Sequence, residues 1–261
     1  MKTDLIHYHR PGSLRELAIL LAGKNSQMRF LAGGNFLSEA IEDGTILVDL
    51  QDLGFDQITV AGKSMQIGGL ATLEQVRQAE HGLTDLSEAL SVEAGLNVRN
   101  SLSLANFLKS ADNRSPFLAA LLALKPTVVI LPSNNSISFE RYLFHESPDS
   151  HAIISELRIE IPKTFAYEAV GRSPKDRPMI CLAVAQDQSG RLQTVCGGMI
   201  SPPKVLPLTD RSESLFTMVK QAYENSTDQW ASTEYRQETA VVLLSRCLQK
   251  NGLGLARKEA K

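Results

Sequence analysis

Cysteine is scarce in this chain: Cys181, Cys196 and Cys247 are the only three in 261 residues. They stand far apart without a Cys-x-x-Cys pair, so zinc and iron–sulfur ligation are not expected. So few thiols suit a reducing compartment. An excess of one charge is also missing. The 27 Lys and Arg residues stand against 29 Asp and Glu, a net charge of −2, and no basic field points to nucleic acid. No apolar run approaches membrane-spanning length. The opening Met-Lys-Thr-Asp-Leu-Ile-His brings in an acid and a histidine at once, unlike a signal peptide. The expectation is a cytoplasmic protein with neither a membrane nor a nucleic acid as partner. Internal repeats and low-complexity tracts are absent too. What remains is an ordinary globular composition, 43% hydrophobic and 21% charged. Its length allows two modest domains or one large one.

Patterning predicts a mixed α/β chain. Residues 6–8 read as a strand, and Ser13 with Glu16 three positions later reads as a capping box opening a helix that Gly23 ends. Residues 45–50 read as a buried strand. Residues 58–60 and 64–67 flank Ala61-Gly62-Lys63 as a hairpin. Thr72 is placed to cap a helix over 73–80. From 84 to 108 the signal is mostly helical, with a break at residues 112–116. Strands follow at 127–131 and 153–161, with a turn at 134–136 between them. Strands at 165–170, 180–186 and 191–199 then form a meander, and helices at 212–224 and 234–250 close the pattern. The change of character puts a domain boundary near Pro162. His7 and His9 alternate on a strand with no third ligand nearby, which reads as surface histidines rather than a metal site.

One stretch stands out. In Arg29-Phe30-Leu31-Ala32-Gly33-Gly34-Asn35-Phe36-Leu37 a short apolar strand runs into two glycines. Without Cβ atoms such a turn lets backbone amides approach a ligand and form a concave anion site suited to a phosphate. A plain strand-to-helix turn has the same look. Gly68-Gly69, also after a strand, is a second such pair, equally readable as a tight strand end.

Taken in order, these segments resemble the FAD-binding (medium) subunits of the molybdenum hydroxylases, the xanthine dehydrogenase and carbon monoxide dehydrogenase group. Tyr8-His9-Arg10-Pro11, Leu31 to Asn35, Leu47 to Leu50, Ile67 to Leu73, Val98-Arg99-Asn100, Leu121 to Leu124, Glu156 to Pro162 and Glu234-Tyr235-Arg236 match that family's landmarks. The resemblance implies a two-subdomain FAD-binding domain over residues 1–162 (about 1–55 and 56–162). A smaller C-terminal α/β domain, a three-stranded sheet plus helices, follows over 163–261. It implies FAD as cofactor, contacted by Ala32, Gly33, Gly34, Asn35, Phe36, Leu37, Ser103, Asp112 and Leu157. It also implies a molybdopterin-binding large subunit and a [2Fe–2S] small subunit as partners, with electrons passing through FAD to NAD or another acceptor. No catalytic acid or base and no metal ligand is expected in this chain.

The chain also departs from the pattern. The second flavin loop of that family, typically Thr-hydrophobic-Gly-Gly-Asn, reads Ser103-Leu104-Ala105-Asn106-Phe107 here when aligned without a gap, while a one-residue gap keeps Asn106 as the family's asparagine with a glycine deleted. Pro116 stands where an aspartate is usual, and Glu168 or Ala169 where a lysine is frequent. A carboxylate facing the cofactor would oppose a pyrophosphate. Lys63, Lys109 and Arg114 are possible substitute cations, while Ser103, Asp112 and Ser115 read equally well as caps and turn residues. Two functions follow: a flavin-carrying electron-transfer subunit, or a relative that has lost FAD and serves structure or assembly.

Overall fold

The computed structural model describes residues 7–23, 28–31, 44–144, 152–173, 176–199, 201–210 and 212–253. The chain forms two compact units. One comprises residues 1–80, 96–110 and 126–159, and the other 81–95, 111–125 and 160–261.

In the first unit, β1 (His7–His9), β2 (Met28–Leu31) and β3 (Ile46–Asp49) make a parallel sheet in the order β1-β3-β2. Helix α1 (Leu14–Ala22) provides the crossover from β1. The Ser13 hydroxyl accepts the Glu16 N–H at 3.3 Å, and the Glu16 carboxylate accepts the Gly12 N–H at 2.8 Å. Leu17 of this helix packs with Met28, Phe30, Val48 and Leu50. Two of the sequence landmarks are clamps here. The Tyr8 hydroxyl donates to Asp49 at 2.6 Å, and Arg10 holds Asp52 through two bonds of 2.6 and 2.7 Å. His7 and His9 are exposed.

The second sheet of this unit runs β4 (Ile58–Ala61), β5 (Ser64–Gly68), β8 (Ile153–Glu160), β6 (Thr127–Leu131), β7 (Asn135–Ser138). The expected hairpin joins β4 to β5, with Gly62 at a φ of 59°. The turn read at 134–136 is tighter than expected. Asn134 alone takes a positive φ, of 52°, and Asn135 already pairs with Ile130. Helices α2 (Leu73–Gln78), α4 (Leu96–Ser101), α5 (Leu104–Ser110) and α7 (Phe139–Phe144) complete the unit. Thr72 caps α2 through a full capping box with Gln75.

The second unit is built on an antiparallel sheet, β12 (Lys204–Val205), β11 (Leu192–Gly197), β10 (Ile180–Gln186), β9 (Thr164–Val170). Its sheet therefore has four strands among the described residues, not three. The added strand is two residues long and lies in a proline-rich stretch where no period of two can be read. Helices α8 (Ser212–Ala222) and α9 (Thr233–Lys250) pack on the sheet and bury Leu215, Val219, Leu243, Leu244 and Cys247 with Leu182 and Val184. All three cysteines are free and buried.

This unit also takes α3 (Thr84–Glu93) and α6 (Pro116–Leu124), which pack against β9, and against β10 and β11, respectively. The division near Pro162 thus marks a change in sequence character, while the compact units interleave. The cause is burial. Every residue of α6 is buried, and that apolar surface is covered by the C-terminal sheet.

Candidate functional site

The residues expected from the resemblance are divided between the two units and a stretch outside the described residues. Ala32, Gly33, Gly34, Asn35, Phe36 and Leu37 lie outside the described residues. Ser103 and Leu157 belong to the first unit and Asp112 to the second. Leu157 is fully buried in β8 and pairs with Val128, as an ordinary core strand residue does.

The segment corresponding to the second flavin loop is the start of α5. Ser103 is fully buried, and its hydroxyl accepts the Asn106 N–H at 3.3 Å, the N-cap bond. Leu104 donates its N–H to the Ala71 carbonyl and Ala105 to the Gly69 carbonyl, each at 2.8 Å. Phe107 donates to the Ser103 carbonyl at 2.9 Å. In the opposite direction, Leu73 donates to the Leu102 carbonyl at 3.0 Å. The first amides of a helix are the ones without intrahelical partners, and here the protein itself supplies the acceptors. Ala105, Asn106 and Phe107 are buried with them, as core residues of a helix.

Gly68-Gly69 supports this junction. A Cβ on Gly68 would stand 2.1 Å from the Phe55 carbonyl oxygen, and one on Gly69 would stand 2.0 Å from the Ile154 carbonyl oxygen. Gly69 also donates to the Ser155 carbonyl at 2.7 Å. The pair allows close approach, but of backbone to backbone. Arg99, another landmark, is a strut in the same unit. Its guanidinium reaches Glu74 at 2.6 Å, and Arg77 reaches the same carboxyl at 2.5 Å. The hydrogen bonds from Arg77 and then Arg99 hold the Glu74 carboxyl down at about 2 despite burial.

In the second unit, Asp112 accepts the Arg114 N–H at 2.9 Å and pairs with Arg177, the work of a turn residue and an ion-pair partner. Ser115 caps α6 by accepting the Leu118 N–H at 2.9 Å, and it donates its own hydrogen to Glu93 at 2.6 Å. Pro116, where the family has an aspartate, sits at the first helical position and has no N–H to satisfy. Glu93 accepts the Phe117 N–H at 3.2 Å and faces Arg177 at 3.6 Å. Burial pushes the Glu93 carboxyl above its ordinary range, against the opposing pull of Ser115, Phe117 and Arg177. Sequence reading missed Glu93 because it lies 22 residues from Ser115 in a plain helical pattern.

Glu168 is committed as well. Its carboxylate lies 2.9 Å from the Lys250 ammonium and 3.8 Å from Arg246, and Lys250 also bonds Asp85 at 2.9 Å. An acid so paired no longer acts as a free charge opposing a phosphate, which removes the repulsion expected from sequence. Arg114 keeps its charge but is engaged within its own unit. It donates to the carbonyls of Arg177 and Pro178, each at 3.2 Å, and its guanidinium lies 5.2 Å from the centre of the Trp230 ring. Arg172 covers the same ring at 4.1 Å.

FAD needs donors for its pyrophosphate, and the described part of the expected site does not fit that need. At residues 104–107 no glycine cradle exists and the amides are taken.

Comparison with known proteins places these elements. A curated relative, the uncharacterized protein YgfM of Escherichia coli K12, is 26% identical over 206 residues, covering 78% of this chain and 77% of its own length. The caffeine dehydrogenase subunit beta of Pseudomonas sp. CBB1 is 25% identical over 196 residues, covering 67% of this chain and 65% of that subunit. The fold matches a chain of the carbon monoxide dehydrogenase of Hydrogenophaga pseudoflava with a TM-score of 0.73 at 18% identity, over 96% of this chain and 98% of that one. Residues 3–164 match the family model of the FAD binding domain in molybdopterin dehydrogenase, and the chain belongs to that family.

Proposed function

We propose that the chain is the medium subunit of a molybdopterin-dependent hydroxylase or dehydrogenase, assembled with a molybdopterin-binding large subunit and a [2Fe–2S] small subunit. Its place is on the electron path between the iron–sulfur subunit and NAD or another acceptor, in the cytoplasm. The observation that carries this reading is the full-length likeness. The fold follows that of a carbon monoxide dehydrogenase chain over 96% of this one, and the family match spans residues 3–164. Caffeine dehydrogenase subunit beta, by its name a subunit of a dehydrogenase, supports the same assignment. Bound FAD would supply the redox chemistry, and the protein would position and tune it. The glycine loop at Ala32 to Leu37 remains part of the proposal on sequence grounds.

A second reading has a specific observation in its favour. The amides at the start of α5 are committed to Gly69, Ala71 and Ser103, which suits a subunit that has kept the fold for structure or assembly and has lost FAD. Co-expression with the two partner subunits, followed by purification and a visible spectrum with added FAD and NADH, separates the readings. A complex with flavin absorbance that NADH bleaches is the expected outcome of the first. A stable complex that takes up no FAD establishes the second. A chain that captures neither subunit refutes both.

A further inference from the structure

We infer that residues 103–107 form a closed structural junction that makes no contact with a pyrophosphate, so that this chain holds FAD loosely and loses it on purification. The inference rests on the medium-subunit reading, since it concerns the cofactor of that family.

The four backbone amides at this helix start are all engaged. Leu104, Ala105, Asn106 and Phe107 each have an acceptor within the unit: Ala71, Gly69, the Ser103 hydroxyl and the Ser103 carbonyl. To bind a phosphate oxygen, an amide would first have to abandon a partner that water cannot replace, because Ser103, Leu104 and Phe107 are at most 2% exposed. Shape closes the remaining route. Opening the junction means moving the 69–71 segment, and Gly69 is wedged so tightly that a Cβ there would stand 2.0 Å from the Ile154 carbonyl. Phe107 anchors the other side as one of the largest fully buried side chains. Ala105 also lacks the conformational freedom of glycine, so the segment has no low-cost alternative backbone path.

Amide hydrogen exchange on the full chain, with and without excess FAD, tests this, with flavin fluorescence reporting how much FAD is bound. Slow exchange at 104–107 in the free chain, changed less than about twofold by FAD, is expected. FAD-induced slowing of tenfold or more at those amides overturns the inference. So does a chain purified without added FAD that carries one flavin per protein. A chain that takes up no FAD even at high concentration overturns the loose holding inferred here. Ser103→Ala gives an independent reading. The variant should melt at a lower temperature yet bind FAD within twofold of the parent. A tenfold loss of affinity in a folded variant would make Ser103 a phosphate ligand and overturn the inference. Failure to assemble with the large and iron–sulfur subunits would instead refute the reading on which the inference rests, whatever the exchange rates.

Discussion

Helices α5 and α6 start in similar ways and satisfy their first amides differently. Each follows a fully buried serine whose hydroxyl accepts the N–H three residues on. Each lies where the sequence departs from its family. At α5 the free amides go to the carbonyls of Gly69 and Ala71. At α6 the proline removes one donor, and the Phe117 amide goes to the Glu93 carboxylate, which also takes the Ser115 hydroxyl. One helix start is closed by neutral backbone and the other by an anion that the protein supplies. A helix N-terminus is a ready anion site only while its donors are unclaimed, and neither of these is unclaimed.

The comparison can be broken most severely at α5. Phe107→Ala removes a buried ring that pins the junction and should destabilise the protein by about 3–5 kcal/mol, read from urea unfolding at constant m. A loss below about 1 kcal/mol would show that the junction is not held by its core contacts.

The α6 side is sharpened by removing charge while keeping an acceptor. Glu93→Gln leaves an amide oxygen for Ser115 and Phe117. Burial raises the Glu93 carboxyl above its ordinary value of 4.5 in the folded state. Its favourable contribution is therefore fullest below that value and is lost as pH rises through the folded value. The melting temperature of Glu93→Gln relative to the parent should thus climb as pH is taken from about 4 to 8. A flat difference would mean that Arg177 neutralises the carboxylate fully.

A smaller effect is expected at a second committed anion, Glu168. Glu168→Lys sets a cation beside Lys250 and Arg246 and should cost about 1 kcal/mol or less, because the pair is partly exposed. FAD affinity should stay within twofold of the parent. A clear rise would restore the view that this acid repels the cofactor.

Much of the fold was legible because it is written locally. The Ser13–Glu16 capping box, the Thr72 cap and the Gly62 hairpin follow from short-range hydrogen bonding and turn conformation. The family itself was legible from the order of landmarks. Their physical roles were not: Tyr8, Arg10 and Arg99 act through Asp49, Asp52 and Glu74, which are 25 to 42 residues away. The membership of α3 and α6 in the second unit was equally hidden, because an apolar helix does not specify which sheet will cover it.

The amino-acid sequence by itself determined many of the elements, their order and the family, and it pointed to residues 103–107 as the segment that departs from a flavin loop. Only the tertiary structure decided what that segment does. Whether an amide at residues 104–107 is free for a phosphate depends on the carbonyls of residues 69 and 71 lying 2.8 Å away. That distance is fixed by how tightly Gly69 packs on β8, not by the residues of the loop. In the same way Glu168 reads as an obstacle to an anion when taken alone and becomes half of an ion pair once Lys250 is beside it. Hydrogen bonds and charges are claimed by whatever partner the fold brings within reach, and that is a property of the packed chain.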